Sequence, residues 1–240
     1  MNSAPHSIDG LIEVRRQMAQ AAQACRRSAD SVHLLAVSKQ QSAAAIRAMA
    51  DAGQRDFGES YVQEALAKME SLRDLDLCWH FIGQLQSNKT RPVAEHFQWV
   101  HTLDRDKHAS RLNEQRPHYA PPLQVCIQVK LAEEAGKGGV WPEQVPTLAQ
   151  HIQRLPRLTL RGLMCIPPPS DDYATQLQQF LRMRELLTQL NATEMRLDTL
   201  SMGMSGDFAA AIAAGATWIR IGTAIFGERQ TTPDMVHVQG

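Results

Sequence analysis

Leu34-Leu35-Ala36-Val37-Ser38-Lys39 is the stretch from which the chain is read. It is a run of apolar, strand-forming residues ending on a single amine and bounded by the turn-permissive Gln40, Gln41 and Ser42. That is the pattern of a buried strand. Alternation puts Leu35, Val37 and Lys39 on one face, and Leu34, Ala36 and Ser38 on the other. An ammonium sharing a face with two aliphatic side chains is costly unless paired or held neutral. A desolvated, neutral lysine is a nucleophile for carbonyl carbon. Lys39 is therefore either a rim lysine in a salt bridge or a Schiff-base lysine, and this stretch alone leaves both open.

Working outward, a helix is expected over residues 7–28, with Leu11, Ile12, Val14 and Met18 recurring on one side. After the first strand, further strands are expected at 55–59, 79–83, 99–103, 123–129, 158–166, 199–203 and 218–222. Helices are expected between them at 42–52, from 61 through 69, from 88, and at 107–115, 142–155, 171–189 and 207–214. Eight strand–helix units in strict alternation imply a parallel sheet, and eight of them favour closure into a TIM (β/α)8 barrel. An open doubly wound sheet is the competing architecture. No linker, low-complexity segment or repeat beyond the unit interrupts the pattern, so one domain spanning residues 1–240 is expected.

Composition narrows the function. A hydrophobic fraction of 43% against 21% charged residues is that of an ordinary globular protein with ample core. Lys+Arg 25 balances Asp+Glu 25, so no net field draws nucleic acid or a membrane surface. The cysteines Cys25, Cys78, Cys126 and Cys165 are widely separated, without a C-x-x-C pair, which suits small core residues in a reducing compartment. No signal-peptide layout or membrane-length apolar run is present, so a cytoplasmic protein is the expectation.

In a barrel the functional face is the carboxyl end of the strands. There the sequence places Lys39, then Gly58-Glu59-Ser60, Gly83-Gln84, Ser201-Met202-Gly203-Met204-Ser205-Gly206 and Gly222-Thr223-Ala224. Barrels frequently bind a phosphate with the loops after the last two strands, where small residues let backbone N–H groups approach an anion. Arg220 shares a face with Gly222, and a guanidinium inside a barrel needs an acceptor. That acceptor is either an interior carboxylate such as Glu59 or a ligand lying between Lys39 and the phosphate loops. A Schiff-base lysine, a phosphate cradle and a fixed cation between them would suit pyridoxal 5′-phosphate.

Several motifs then carry a resemblance. They are Ala36-Val37-Ser38-Lys39, Phe57-Gly58-Glu59 with Tyr61-Val62-Gln63-Glu64, and Trp79-His80-Phe81-Ile82-Gly83 with Leu85-Gln86 and Asn88-Lys89. Leu200-Ser201-Met202-Gly203-Met204-Ser205 and Arg220-Ile221-Gly222-Thr223 with Ile225-Phe226-Gly227 complete the series. In this order they closely resemble the pyridoxal-phosphate homeostasis protein family, over nearly the whole chain. The resemblance implies a barrel like the N-terminal domain of alanine racemase, with cofactor on Lys39. It also implies phosphate contacts from Ser201, Gly222 and Thr223, and Arg220 facing the pyridine nitrogen. Two departures stand out. Ser60 replaces the family's usual Asn, and Lys137-Gly138-Gly139 stands for the usual Lys-Ser-Gly, which should leave a more mobile loop. His80 reads as a satisfied core histidine, while Asn88 and Lys89 begin a helix near the rim.

The resemblance implies a regulator of vitamin B6 pools rather than a catalyst, and the chemistry agrees. An arginine at the pyridine nitrogen keeps it unprotonated and weakens the electron sink on which amino-acid chemistry depends. Racemisation would also need a second base opposite Lys39. Tyr61, Tyr119 and Tyr173 all lie away from expected strand ends, and residues 228–240 are too few for a further domain. The expectation is a carrier of pyridoxal phosphate, a monomer, with pyridoxal-phosphate-dependent apoenzymes as possible recipients and no nucleic-acid or membrane partner. No catalytic residue and no metal ligand is assigned. The alternatives are a racemase or related enzyme of small amino acids, and a cofactor-free Schiff-base aldolase.

Overall fold

The computed structural model describes residues 8–133, 138–193 and 195–227. The chain opens with α1 (Asp9–Ala24) and then alternates: β1 (His33–Val37), α2 (Ala43–Asp51), β2 (Asp56–Glu59), α3 (Val62–Ser71), β3 (Cys78–Phe81), α4 (Thr90–His96), β4 (Trp99–Leu103) and α5 (Asp106–Gln115). The second half repeats the scheme with β5 (Leu123–Val129), α6 (Val145–Gln153), β6 (Leu158–Cys165), α7 (Tyr173–Asn191), β7 (Thr199–Ser201), α8 (Phe208–Ala214), β8 (Trp218–Ile221) and a short α9 (Thr223–Phe226). The strands pair in parallel in sequence order and close into a barrel. Closure excludes the open sheet: β8 returns to β1 with His33 opposite Trp218, Leu34 opposite Ile219, Leu35 opposite Arg220 and Ala36 opposite Ile221.

Alternation along the strands splits the protein into two unlike interiors. Outward-facing residues such as Phe57, Phe81, Val100, Ile127, Ile219 and Ile221 are buried against the helices in one large apolar layer. Burying one such side chain is worth about 1.5–3 kcal/mol, so this layer carries the stability. The apolar cluster inside the barrel is small, namely Trp99, Cys126 and Met164 with Cys78 and Ile166 packed against it. Buried His80, His101, Ser201 and Arg220 occupy other strand positions, and their mutual hydrogen bonds make the barrel centre polar.

Strands end earlier than the sequence pattern suggests. β1 stops at Val37, β7 at Ser201 and β8 at Ile221, so Lys39, Ser205 and Gly222 belong to loops above the barrel. Helix starts follow their caps: Ser42 accepts from the Ala45 N–H to begin α2, and Asp172 accepts from the Thr175 N–H to begin α7. A short 3-10 turn over Ser87–Lys89 precedes α4, which places Asn88 and Lys89 at a helix start, as read from the sequence. α9 was not expected, because its four residues are too few to show periodicity. Gly203 takes a φ of +99° in the turn out of β7, where a Cβ would lie 2.6 Å from Ala211 Cβ.

α1 packs across α8 and α9. Gly10 touches the backbone of α9, and a Cβ there would lie 2.4 Å from the Ala224 carbonyl oxygen. Gly10→Ala must push the two helices apart and is expected to cost about 1–3 kcal/mol, the range for overpacking. A lowered urea midpoint at unchanged slope checks this; an unchanged midpoint refutes the close contact.

Candidate functional site

A cavity of about 220 Å³ opens at the carboxyl end of the barrel. Val37, Lys39 and Gln41 line it on the β1 side, and Arg220, Gly222 and Thr223 on the β8 side. Ser60, Ile82, Met164, Ile166, Met204, Ser205 and Gly227 complete its wall. Four of the five residues singled out from the sequence, Lys39, Arg220, Gly222 and Thr223, therefore meet around one space. The β1–β8 seam brings them together: Gly222 lies against Val37, so close that a Cβ would be 3.2 Å from the Val37 carbonyl oxygen.

The turn carrying Lys39 is clamped from both sides. Ser38 is fully buried and Gln40 adopts a positive φ of 62°, a strained conformation for a non-glycine residue. Lys68 of α3 donates to the Ser38 carbonyl at 2.7 Å, and the Gln40 N–H donates to Glu64 Oε1 at 2.5 Å. Lys68 also bridges Glu59 Oε1 at 2.7 Å and Glu64 Oε1 at 2.5 Å, while the Ser38 hydroxyl donates to Glu59 Oε1 at 2.6 Å. Burial pushes the Glu59 carboxyl above its ordinary value, with Lys68 opposing. Glu59 Oε2 is buried without a hydrogen-bond partner. Glu59 is thus committed to Lys68 on the outer face of β2 and is not the acceptor for Arg220. The interior ion pair considered from the sequence fails because Gly58, not Glu59, has the inward parity.

Arg220 instead heads a hydrogen-bonded chain through the barrel. Its Nη1 donates to Ser201 Oγ at 3.0 Å and its Nη2 to the Cys165 carbonyl at 2.9 Å. Among the described residues no carboxylate pairs with this guanidinium, although only 5% of Arg220 is exposed. Ser201 Oγ lies 2.7 Å from His101 Nδ1, His101 Nε2 2.9 Å from His80 Nδ1, and His80 Nε2 3.1 Å from Asp56 Oδ1. Burial lowers the pKa of both histidines, that of His101 furthest, so both rings are neutral. The ends then fix the polarity. Arg220 donates to Ser201, Ser201 to His101, His101 to His80, and His80 to the Asp56 carboxylate. His80 is a satisfied core histidine, as its sequence context suggests; nothing in the sequence pattern connected it to His101.

Ser201 does not line the cavity. Its register partner on β8 is Trp218, two residues below Arg220, and it lies fully buried under the guanidinium. Ser205, carried by the loop after β7, does line the cavity wall. Gly222 and Thr223 begin α9, and first-turn N–H groups have no acceptors within their own helix. Ser60, the departure from the family's Asn, does reach the cavity. Tyr119 and Tyr173 are exposed, as is Tyr61, which stands at the carboxyl rim just past β2 but does not line the cavity. Lys137 and its loop lie outside the described residues. Cys126 and Cys165 are buried and Cys25 and Cys78 half-buried, all as free thiols.

Residues 12–230 match the family model for the alanine racemase N-terminal domain. Curated relatives include a pyridoxal phosphate homeostasis protein of Pseudomonas aeruginosa, 57% identical over 92% of this chain and 95% of that protein. One from Escherichia coli K12 is 49% identical over 95% of this chain and 98% of that protein. The chain belongs to the pyridoxal phosphate homeostasis protein family. PipY of Synechococcus elongatus PCC7942, solved with pyridoxal phosphate bound, superposes with a TM-score of 0.78 at 42% identity, over 88% of this chain and all of that one. The alanine racemase of Corynebacterium glutamicum shares the fold alone, with a TM-score of 0.70 at 17% identity, over 96% of this chain and 64% of the enzyme.

The Lys68 clamp has a testable pH signature. Lys68→Met leaves Glu59 as an uncompensated buried carboxylate, and losing one partner of a buried pair costs about 3–5 kcal/mol. Glu59 already has a folded-state pKa above the ordinary 4.5, and losing Lys68 raises it further. A raised carboxyl pKa stabilises the folded state below the unfolded pKa and loses that contribution as pH rises through the folded pKa. The deficit of Lys68→Met relative to wild type is therefore smallest below about pH 4.5 and widens toward neutrality. Urea denaturation across that range measures it, and a pH-independent deficit would contradict the clamp.

Proposed function

We propose that this protein holds pyridoxal 5′-phosphate as a Schiff base on Lys39 and serves intracellular vitamin B6 homeostasis without catalytic turnover. The observation that carries the proposal is the convergence of Lys39, Arg220 and the Gly222–Thr223 corner on one cavity. The donor set fits the cofactor: an amine for its aldehyde, a guanidinium lacking a carboxylate partner for its ring nitrogen, and a small-residue corner for its phosphate. The names of the curated relatives and the cofactor bound in PipY support the same reading.

Each residue then has a task. The clamp on Ser38 and Gln40 fixes where the Lys39 amine emerges. Ser205, Gly222 and Thr223 receive the phosphate, and Ser201 and the Cys165 carbonyl hold Arg220 in place. When bound, the cofactor supplies an electrophilic carbon and a ring that can act as an electron sink. Arg220, a donor that does not give up its proton, leaves the ring nitrogen unprotonated and the sink weak. Among the described residues no tyrosine lines the cavity to act as a second base. This favours a carrier over a racemase. Delivery to pyridoxal-phosphate-dependent apoenzymes, a cytoplasmic location and a monomeric state belong to the same proposal.

Borohydride reduction followed by peptide mass spectrometry is expected to find one cofactor adduct, on Lys39. Lys39→Ala is expected to abolish both adduct and visible absorption. Arg220→Gln is expected to keep the adduct but weaken binding by about 10–100-fold, given roughly 1.5–3 kcal/mol for a charge-assisted hydrogen bond. An unmodified Lys39 overturns the proposal. Rapid, Lys39-dependent exchange of amino-acid Cα hydrogen with deuterium would overturn the absence of turnover.

A further inference from the structure

At the amino end of the barrel, opposite the cofactor cavity, side chains with metal-ligand chemistry converge. Asp56 and Cys78 are register partners on β2 and β3, so they leave neighbouring strands at one level. His80 follows Cys78 by two residues and shares its face. His80 Nε2 lies 3.3 Å from Cys78 Sγ and 3.1 Å from Asp56 Oδ1, and the three candidate ligand atoms all fall within 4.8 Å of one another.

These separations are close to those around a metal ion. A tetrahedral ion with bonds of about 2.0–2.3 Å keeps its ligand atoms about 3.3–3.7 Å apart, so the cluster needs only slight expansion to accept one. The ring of His80 is already oriented. It stacks on Trp99 with centroids 5.5 Å apart and planes 5° from parallel. Its far nitrogen bonds to His101, the kind of outer contact that fixes a ligating imidazole. The Asp56 side chain is 30% exposed, which gives an ion a route in and room for water to complete its coordination. Burial, reinforced by Asp56, pushes the Cys78 thiol up to about 12, so it is not a nucleophile on its own account.

We propose that Asp56, Cys78 and His80 form a binding site for a divalent transition-metal ion at the amino end of the barrel. Imidazole, thiolate and carboxylate together match zinc best among common ions. On binding, a metal–sulfur bond replaces the Cys78 S–H bond and that proton leaves to solvent. The metal also takes the Nε2 lone pair of His80, so the proton of that neutral ring must sit on Nδ1. His80 then donates to His101, and His101 to Ser201. Metal binding thereby reverses the two bonds joining His80, His101 and Ser201, while Arg220 remains a donor to Ser201, whose hydroxyl then accepts from both neighbours and turns its own proton away from His101.

The test uses the full-length protein, stripped with chelator and titrated with zinc chloride against a chromophoric competitor. One equivalent of zinc is expected to bind, with affinity falling at least tenfold in Cys78→Ser and in Asp56→Asn while Cys25→Ser binds as wild type. Cobalt(II) chloride is expected to give a near-ultraviolet thiolate charge-transfer band that Cys78→Ser lacks. The proposal is overturned if Cys78→Ser binds zinc as tightly as wild type, or if no thiolate band forms with cobalt. Both readouts are independent of the cofactor, so their failure would leave the Lys39 reading standing.

Discussion

The pairing of the first strand with the last is the constraint from which the site follows. With Leu35 opposite Arg220 and Ala36 opposite Ile221, the chain ends of β1 and β8 emerge side by side. Lys39 and the Gly222–Thr223 corner then share one wall of one cavity although they are nearly the whole sequence apart. An open sheet would place them on opposite edges. Barrel closure makes the Lys39 amine, the Arg220 guanidinium and the Gly222–Thr223 corner a single constellation, and the outer apolar layer stabilises that closure.

Two polar assemblies flank the seam, and each offsets a cost of burial differently. On the outer face of β2, Lys68 compensates Glu59 directly and spends its remaining donors on Glu64 and the Ser38 carbonyl. The ion pair therefore also dictates the backbone around Lys39. Inside the barrel, the hydrogen-bond partners of Arg220 among the described residues are neutral, and the chain that starts at Ser201 reaches a carboxylate at Asp56, the far end. Linked hydrogen bonds polarise one another in a low-dielectric interior. Asp56 ends this chain, whereas the carboxylate whose charge favours the guanidinium is Asp207, and Arg220 also lines the cavity.

The sequence made the barrel legible because short apolar strand patterns alternate eight times with helices that restart the apolar period. Lys39, Arg220, Gly222 and Thr223 were legible for the same reason, since alternation and strand order place them at the carboxyl rim. What alternation cannot supply is register. Ser201 and Ser205 have the same parity, and only the pairing of Ser201 with Trp218 shows that Ser201 lies one layer below the cavity. The Lys68 clamp was invisible because Lys68 sits mid-helix among ordinary surface-like residues, and its partners come from β1 and β2. The chain from Arg220 to Asp56 needed five strands, β2, β3, β4, β7 and β8, to be brought together, which no local pattern encodes.

The most direct measurement is a crystal structure of the protein with pyridoxal 5′-phosphate. The account predicts continuous density from the Lys39 side chain to the cofactor, the ring nitrogen within hydrogen-bond reach of Arg220, and the phosphate against Ser205, Gly222 and Thr223. A phosphate lying on Arg220, or a cofactor bound away from Lys39, would contradict it.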